Sequence, residues 1–170
     1  CYQENDIMLG LRYLNDLARK QGMPLVICVA LGTSFGGHNG DSLLADILDI
    51  YATVRNRCVV VGTGNEAARR HHYFNRFTDA QDMRTAEIRV GEGTQSFAVE
   101  LWSTLPNIVM VSVTSPSGER TGMIPIRLGY LFDFLFTFER TTITVEYRLL
   151  QENNDAQLVF IRFQNAVPGI

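Results

Sequence analysis

Three stretches of this 170-residue chain hold residue types that can do chemistry. The first, Val59-Val60-Val61-Gly62-Thr63-Gly64-Asn65-Glu66-Ala67, closes an apolar run on a Gly-x-Gly-x-x-Ala pattern. By itself that pattern is a dinucleotide fingerprint, whose glycines let backbone approach a pyrophosphate at a helix N-terminus. The reading needs an amphipathic helix directly afterwards, and Ala68-Arg69-Arg70-His71-His72-Tyr73-Phe74-Asn75 carries no apolar stripe. It also belongs on the first strand-to-helix turn, and this turn is a later one. The second stretch, Val29-Ala30-Leu31-Gly32-Thr33-Ser34-Phe35-Gly36-Gly37-His38, leaves another apolar run. Its Gly32-Thr33-Ser34 imitates a nucleophile motif, but no helical period starts until about residue 42. Ser34 therefore reads as a loop hydroxyl serving nearby backbone. The third stretch pairs Arg69-Arg70 with His71-His72, a possible metal site or base. No Asp, Cys or third His stands at ligand spacing on the same element, so a polar loop is the simpler account, as a solvated loop is for His38. Asp79 with Asp82, and Asn153-Asn154-Asp155, offer oxygen ligands for calcium, yet turn chemistry explains them equally. Trp102 is a possible sugar-binding ring; alternation puts it on the face of Ala98 and Glu100, partly buried.

The elements that must hold these residues change character along the chain. A helix is expected over about residues 6–20, with Ile7, Leu11, Leu14 and Leu17 at helical spacing and Gly22 past its end. The run Leu25-Val26-Ile27-Cys28-Val29-Ala30 predicts a strand covered on both faces, and Cys58-Val59-Val60-Val61 a second. Cys28 and Cys58 are expected to be buried on them. A helix over about residues 42–55 lies between, capped by Asp41 or Ser42 and apolar through Leu43, Leu44, Ile47, Leu48 and Tyr51. Strand, helix, strand with buried strands predicts a parallel α/β sheet. From about residue 83 the period becomes two: 86–90, 96–102, 107–113, 142–149 and 157–163 alternate, separated by turn clusters, which predicts a β-sandwich. The expected division is 1–80 and 81–170.

Composition narrows the classes. With 46% hydrophobic residues and ten Phe the chain can fill a core without staples, which excludes intrinsic disorder. A net charge of −3 shows no basic excess for nucleic acid. No apolar run reaches the roughly 18 residues of a membrane span. Three cysteines without a Cys-x-x-Cys pair give neither a disulfide framework nor zinc spacing. The absence of an initiator Met, and a last segment ending at Pro168-Gly169-Ile170, suggest a piece of something longer, with Cys1 marking only where it was cut.

Taken together, Ala30-Leu31-Gly32 and Gly62-Thr63-Gly64-Asn65-Glu66-Ala67, with a helix of the right length between, resemble the subtilisin-like serine proteases (subtilases). In that family one strand ends Ser-Leu-Gly and a later one ends Ala-Ala-Gly-Asn-x-Gly. The likeness covers about residues 6–72. The loop from Leu31 to Leu44 and the run Arg69–Tyr73 are similar to the germination-type subtilases of spore-forming bacteria, whose protease domain carries an inserted jelly-roll β-domain. The implied fold is a partial subtilisin-like parallel α/β sheet followed by an all-β, jelly-roll-like insertion, truncated at its C-terminal end.

The resemblance implies roles by position. Asn65 matches the oxyanion-hole Asn. Ala30, Leu31 and Gly32 match the strand that pairs with substrate backbone. Gly62, Thr63 and Gly64 match the other wall of the pocket for the residue before the scissile bond. Thr63 stands where the family has Ala, and Ala67 where it has Gly. The family's catalytic Asp and His lie upstream and its Ser downstream, so the chain alone is expected to be inactive. The implied parent is a serine endopeptidase acting on protein or peptide, extracytoplasmic or spore-associated, with the rest of the protease domain as partner. No cofactor is implied within the chain, although calcium is possible in the parent. Alternatives are a pseudoprotease that scaffolds a partner, and a carbohydrate- or peptide-binding module in the β-rich half.

Overall fold

A computed structural model describes residues 3–150 and 155–168. Cys1, the turn expected at Asn153-Asn154, and Gly169-Ile170 lie outside the described residues. The chain divides into two compact units between His72 and Tyr73.

The first unit opens with helix α1, Glu4–Gln21. Its first turn is closed by a reciprocal box, the Gln3 N–H donating to the Asp6 carboxylate at 3.1 Å. Its last turn ends on Gly22 at φ 64°, a left-handed conformation that glycine adopts without steric cost. The buried stripe runs Ile7, Leu11, Asn15, Ala18, which corrects the expected Ile7–Leu11–Leu14–Leu17 row: Leu14 and Leu17 are exposed. Asn15 turns inward because Arg57 Nε donates to its Oδ1 at 3.0 Å, tying α1 to the start of the second strand.

Strands β1, Leu25–Val29, and β2, Arg57–Val61, pair in parallel, Val29 opposite Val61. Helix α2, Leu43–Thr53, joins them, with the Ser42 hydroxyl accepting from the Ala45 N–H at 3.1 Å. Helix α1 packs on β1, α2 on β2, and the helices touch, so Ile27 is buried beneath them. The opposite face is open: Val26 is 68% and Val60 50% exposed. Cys28 and Cys58 share that face and are exposed, so the expectation of buried cysteines on doubly covered strands is corrected. Apolar runs state what a strand tolerates on each face, and here the described helices occupy one.

The second unit is built on one antiparallel sheet: β3 Ser96–Thr104, β4 Leu131–Phe136, β5 Thr141–Leu150 and β6 Ala156–Gln164, in the order β3-β6-β5-β4. Three of these were expected. Strand β4 was not singled out, because in Leu131-Phe132-Asp133-Phe134-Leu135-Phe136 only Asp133 marks a polar face. The segments at 86–90 and 107–113 were expected as strands and form no regular ladder. The stretch 107–126 folds back on itself, Ile124 N–H bonding Val111 C=O at 2.9 Å. It covers the sheet face that carries Phe136, Ile143, Val145, Tyr147, Val159, Ile161 and Phe163. Two buried polar side chains clamp this cover. Gln157 accepts from Val109 N–H at 2.6 Å and donates to Val109 C=O at 3.0 Å. The Tyr147 hydroxyl donates to Ile124 C=O at 2.9 Å and accepts from Val111 N–H at 3.2 Å. Burial raises the Tyr147 pKa, against the pull of the Val111 bond.

Candidate functional site

Parallel pairing with Val29 opposite Val61 sets the two strands' exits side by side. Gly62 N–H continues the ladder to Val29 C=O at 3.1 Å. Beyond it the chains stay close: a Cβ added to Gly32 would stand 3.5 Å from Gly64 Cα. Ala30–Gly32 and Gly62–Gly64 therefore form two adjoining exposed walls at the carboxyl ends of the strands, where open α/β sheets expose their loops. Gly64 takes φ +82°, which turns the chain before Asn65. Asn65 is exposed, and among the described residues no hydrogen bond holds its side chain. A shallow apolar groove of about 220 Å³, lined by Ile7, Leu11, Leu14, Ile27 and Val29 among others, reaches Ala30 and Leu31 from the α1 side.

The loop after Asn65 is folded on Glu66. Its carboxylate meets Arg69 Nε at 3.2 Å and His71 Nδ1 at 3.4 Å, and Arg69 N–H bonds Glu66 C=O at 2.9 Å. An exposed Arg–Glu pair of this kind contributes about 0–1 kcal/mol. Residues 66–69 form a turn, with no helix N-terminus behind Gly62-x-Gly64, so the dinucleotide reading lacks its structural requirement. His38 and His72 meet with ring centres 4.8 Å apart, linking the loops that leave β1 and β2. Nothing in the sequence marks that contact, since each histidine is local to its own loop and only strand pairing brings them together.

The remaining sequence candidates fall into local roles. Ser34 lies in an irregular loop where Thr33 Oγ1 accepts from Phe35 N–H at 3.0 Å, and the next helix starts at Leu43. Asp79 caps a turn through Gln81 N–H at 2.9 Å. Asp82 accepts from Thr78 N–H at 2.9 Å and from Arg84, and the Thr78 bond leads in lowering its pKa. Trp102 is half-buried on the face of Ala98 and Glu100, its indole N–H donating to Glu100 at 3.0 Å. Among the described residues no cluster of three or more His, Cys, Asp or Glu is placed to hold a metal. Among the described residues no helix is long and apolar enough to cross a membrane.

No protein-family model matches the chain, and no curated protein matches it. Among solved structures it is similar to that of the Clostridium perfringens CspB protease, with a TM-score of 0.81 and 24% sequence identity. The similarity covers 100% of this chain and 35% of that one, so the chain spans about a third of its length. The likeness supports a subtilase-like fold, here a small parallel α/β sheet followed by an antiparallel four-stranded sheet.

Proposed function

We propose that this chain is the central segment of a subtilisin-like serine endopeptidase and carries its substrate strand and oxyanion donor. The carrying observation is the placement of Ala30–Gly32 beside Gly62–Gly64 at adjacent strand ends, with Asn65 next in line. A peptide substrate pairs through backbone hydrogen bonds with Ala30–Gly32, an arrangement in which main-chain bonds supply affinity and side-chain pockets supply specificity. Gly62, Thr63 and Gly64 wall the pocket for the residue before the scissile bond, where the Thr63 hydroxyl narrows it. The Asn65 amide donates to the oxygen that becomes negative when the acyl carbon turns tetrahedral, so its benefit is greatest in the transition state. The Asp, His and Ser of the triad come from outside these 170 residues, and the chain alone hydrolyses nothing. On this reading residues 1–80 belong to the protease domain and 81–170 form a jelly-roll-like insertion, the cover at 107–126 supplying its second layer.

Fluorophosphonate labelling of the intact protein, followed by peptide mass spectrometry, tests the proposal. The expected result is a labelled Ser outside the 170 residues. Asn65→Ala should then lower turnover about 10²–10³-fold, a magnitude known from a subtilisin. Absence of label on a folded, processed protein overturns catalysis. It favours the second reading, a scaffold that keeps the fold without the reaction, toward which Thr63 and Ala67 point as departures from the family pattern.

A further inference from the structure

We propose that His38 and His72 form a two-histidine site for a late first-row divalent metal ion such as Zn2+. The proposal does not depend on the protease reading. His38 lies in the loop that leaves β1, and His72 in the loop that leaves β2; both belong to the first unit. Parallel pairing of the strands sets these loops side by side, and the two ring centres stand 4.8 Å apart. Along the sequence, His71-His72 lacks a further ligand on its own element. The sheet supplies one from the other loop.

The spacing fits shared coordination. An imidazole nitrogen bound to Zn2+ at about 2.0–2.1 Å places its ring centre about 3.2 Å from the ion. Two such rings 4.8 Å apart then subtend about 97° at the ion, between the roughly 90° of neighbouring ligands in square or octahedral sites and the roughly 109° of a tetrahedral one. The ring planes are tilted by 46° and not stacked, and both side chains are exposed. Rotation about the last side-chain bond, which is soft in histidine, can therefore turn one nitrogen of each ring toward a common point. The neighbouring carboxylates are engaged elsewhere, Glu66 by Arg69 and His71, and Asp41 by the Asn39 amide. The donor set is thus imidazole alone, which suits zinc, copper and nickel and not calcium or magnesium. Among the described residues no third His, Cys, Asp or Glu completes it, so water fills the remaining positions and the affinity is that of an open site. A bound ion ties the Gly-rich loop at 32–40 to the loop that carries Asn65. The ladder from Val29 to Gly62 already holds the two loops close, so little ordering remains to be done on binding.

The test is a Zn2+ titration of the isotope-labelled 170-residue chain, read by NMR from the ring nitrogens of its three histidines. The His38 and His72 rings are expected to shift together along one saturating curve. His71, whose Nδ1 faces Glu66 at 3.4 Å, should need at least tenfold more Zn2+. Zn2+ taken up by the exposed thiols of Cys28 and Cys58 does not move these rings. His72→Gln should raise the Zn2+ concentration that shifts His38 at least tenfold, and His38→Gln should do the same to His72. If either variant fails to fold, the joint curve of the unsubstituted chain decides. No shift of either ring up to millimolar Zn2+, a shift of one ring without the other, or a shift in step with His71, which marks adventitious binding only, overturns the proposal. So does a His38 response that a folded His72→Gln leaves intact.

Discussion

At the scale of single residues, the outer face of the antiparallel sheet shows how a charge becomes a pH dependence. Arg148 grips Glu146 with two bonds, Nε to Oε1 at 2.8 Å and a terminal nitrogen to Oε2 at 2.7 Å. That pairing, ahead of the opposing cost of burial, holds the Glu146 carboxyl below its ordinary value. A depressed carboxyl binds fewer protons in the folded state than in the unfolded state. Its stabilisation is present above the ordinary value and is lost as pH falls through about 4.5 and below. The pair is partly exposed, so the effect is small and screened by salt. Glu146→Gln should flatten the acid limb of a plot of melting temperature against pH and leave the neutral region nearly unchanged. In this region the sequence was legible, because alternation put Glu146 and Arg148 on one face. It misled at Cys28 and Cys58, where the type of residue signals tolerance of burial and the cover actually present decides exposure.

At the scale of elements, the two helices were legible to within a few residues, because caps and glycine stops are local signals. Strand pairing is not local. The exits of β1 and β2 meet only because Val29 lies opposite Val61, and that register places Gly32 against Gly64. The motifs at 30–32 and 62–65 were readable, whereas their adjacency required the sheet. The turn at Gly64 can be tested directly. At φ +82° a Cβ meets no neighbour, so Gly64→Ala isolates backbone strain from crowding. A cost of about 1–2 kcal/mol is expected for a non-glycine residue in the left-handed region, read in the whole 170-residue chain as a lower denaturant midpoint. An unchanged midpoint would mean that the loop relaxes to another conformation. Strand β4 escaped the alternation test for the opposite reason: its phenylalanines and leucines fill both faces, and only position in the sheet tells which are exposed.

At the scale of the whole molecule, the change from helical period to alternation marked two kinds of architecture. The distribution of the core adds an energetic difference. Among the described residues the first unit buries Leu11, Ala18 and Ile27, whereas the second buries a continuous cluster from Ile124 to Phe163. Apolar burial is the main favourable term in folding. Residues 73–170 expressed alone should therefore unfold cooperatively in urea, and residues 1–72 alone should show a broad, non-cooperative transition; circular dichroism against denaturant checks both. The clamp formed by Gln157 and Tyr147 bears on how the second unit moves. Its cover at 107–126 is fastened to the sheet by these side chains, where a ladder would use backbone, and by Ile124, which is buried in the same core. Opening it breaks no bond between the strands, so it is expected to open while β3, β5 and β6 remain paired. The Val109 and Val111 amides will trade their protons for deuterium by that local opening, well before the amides at the centre of the sheet.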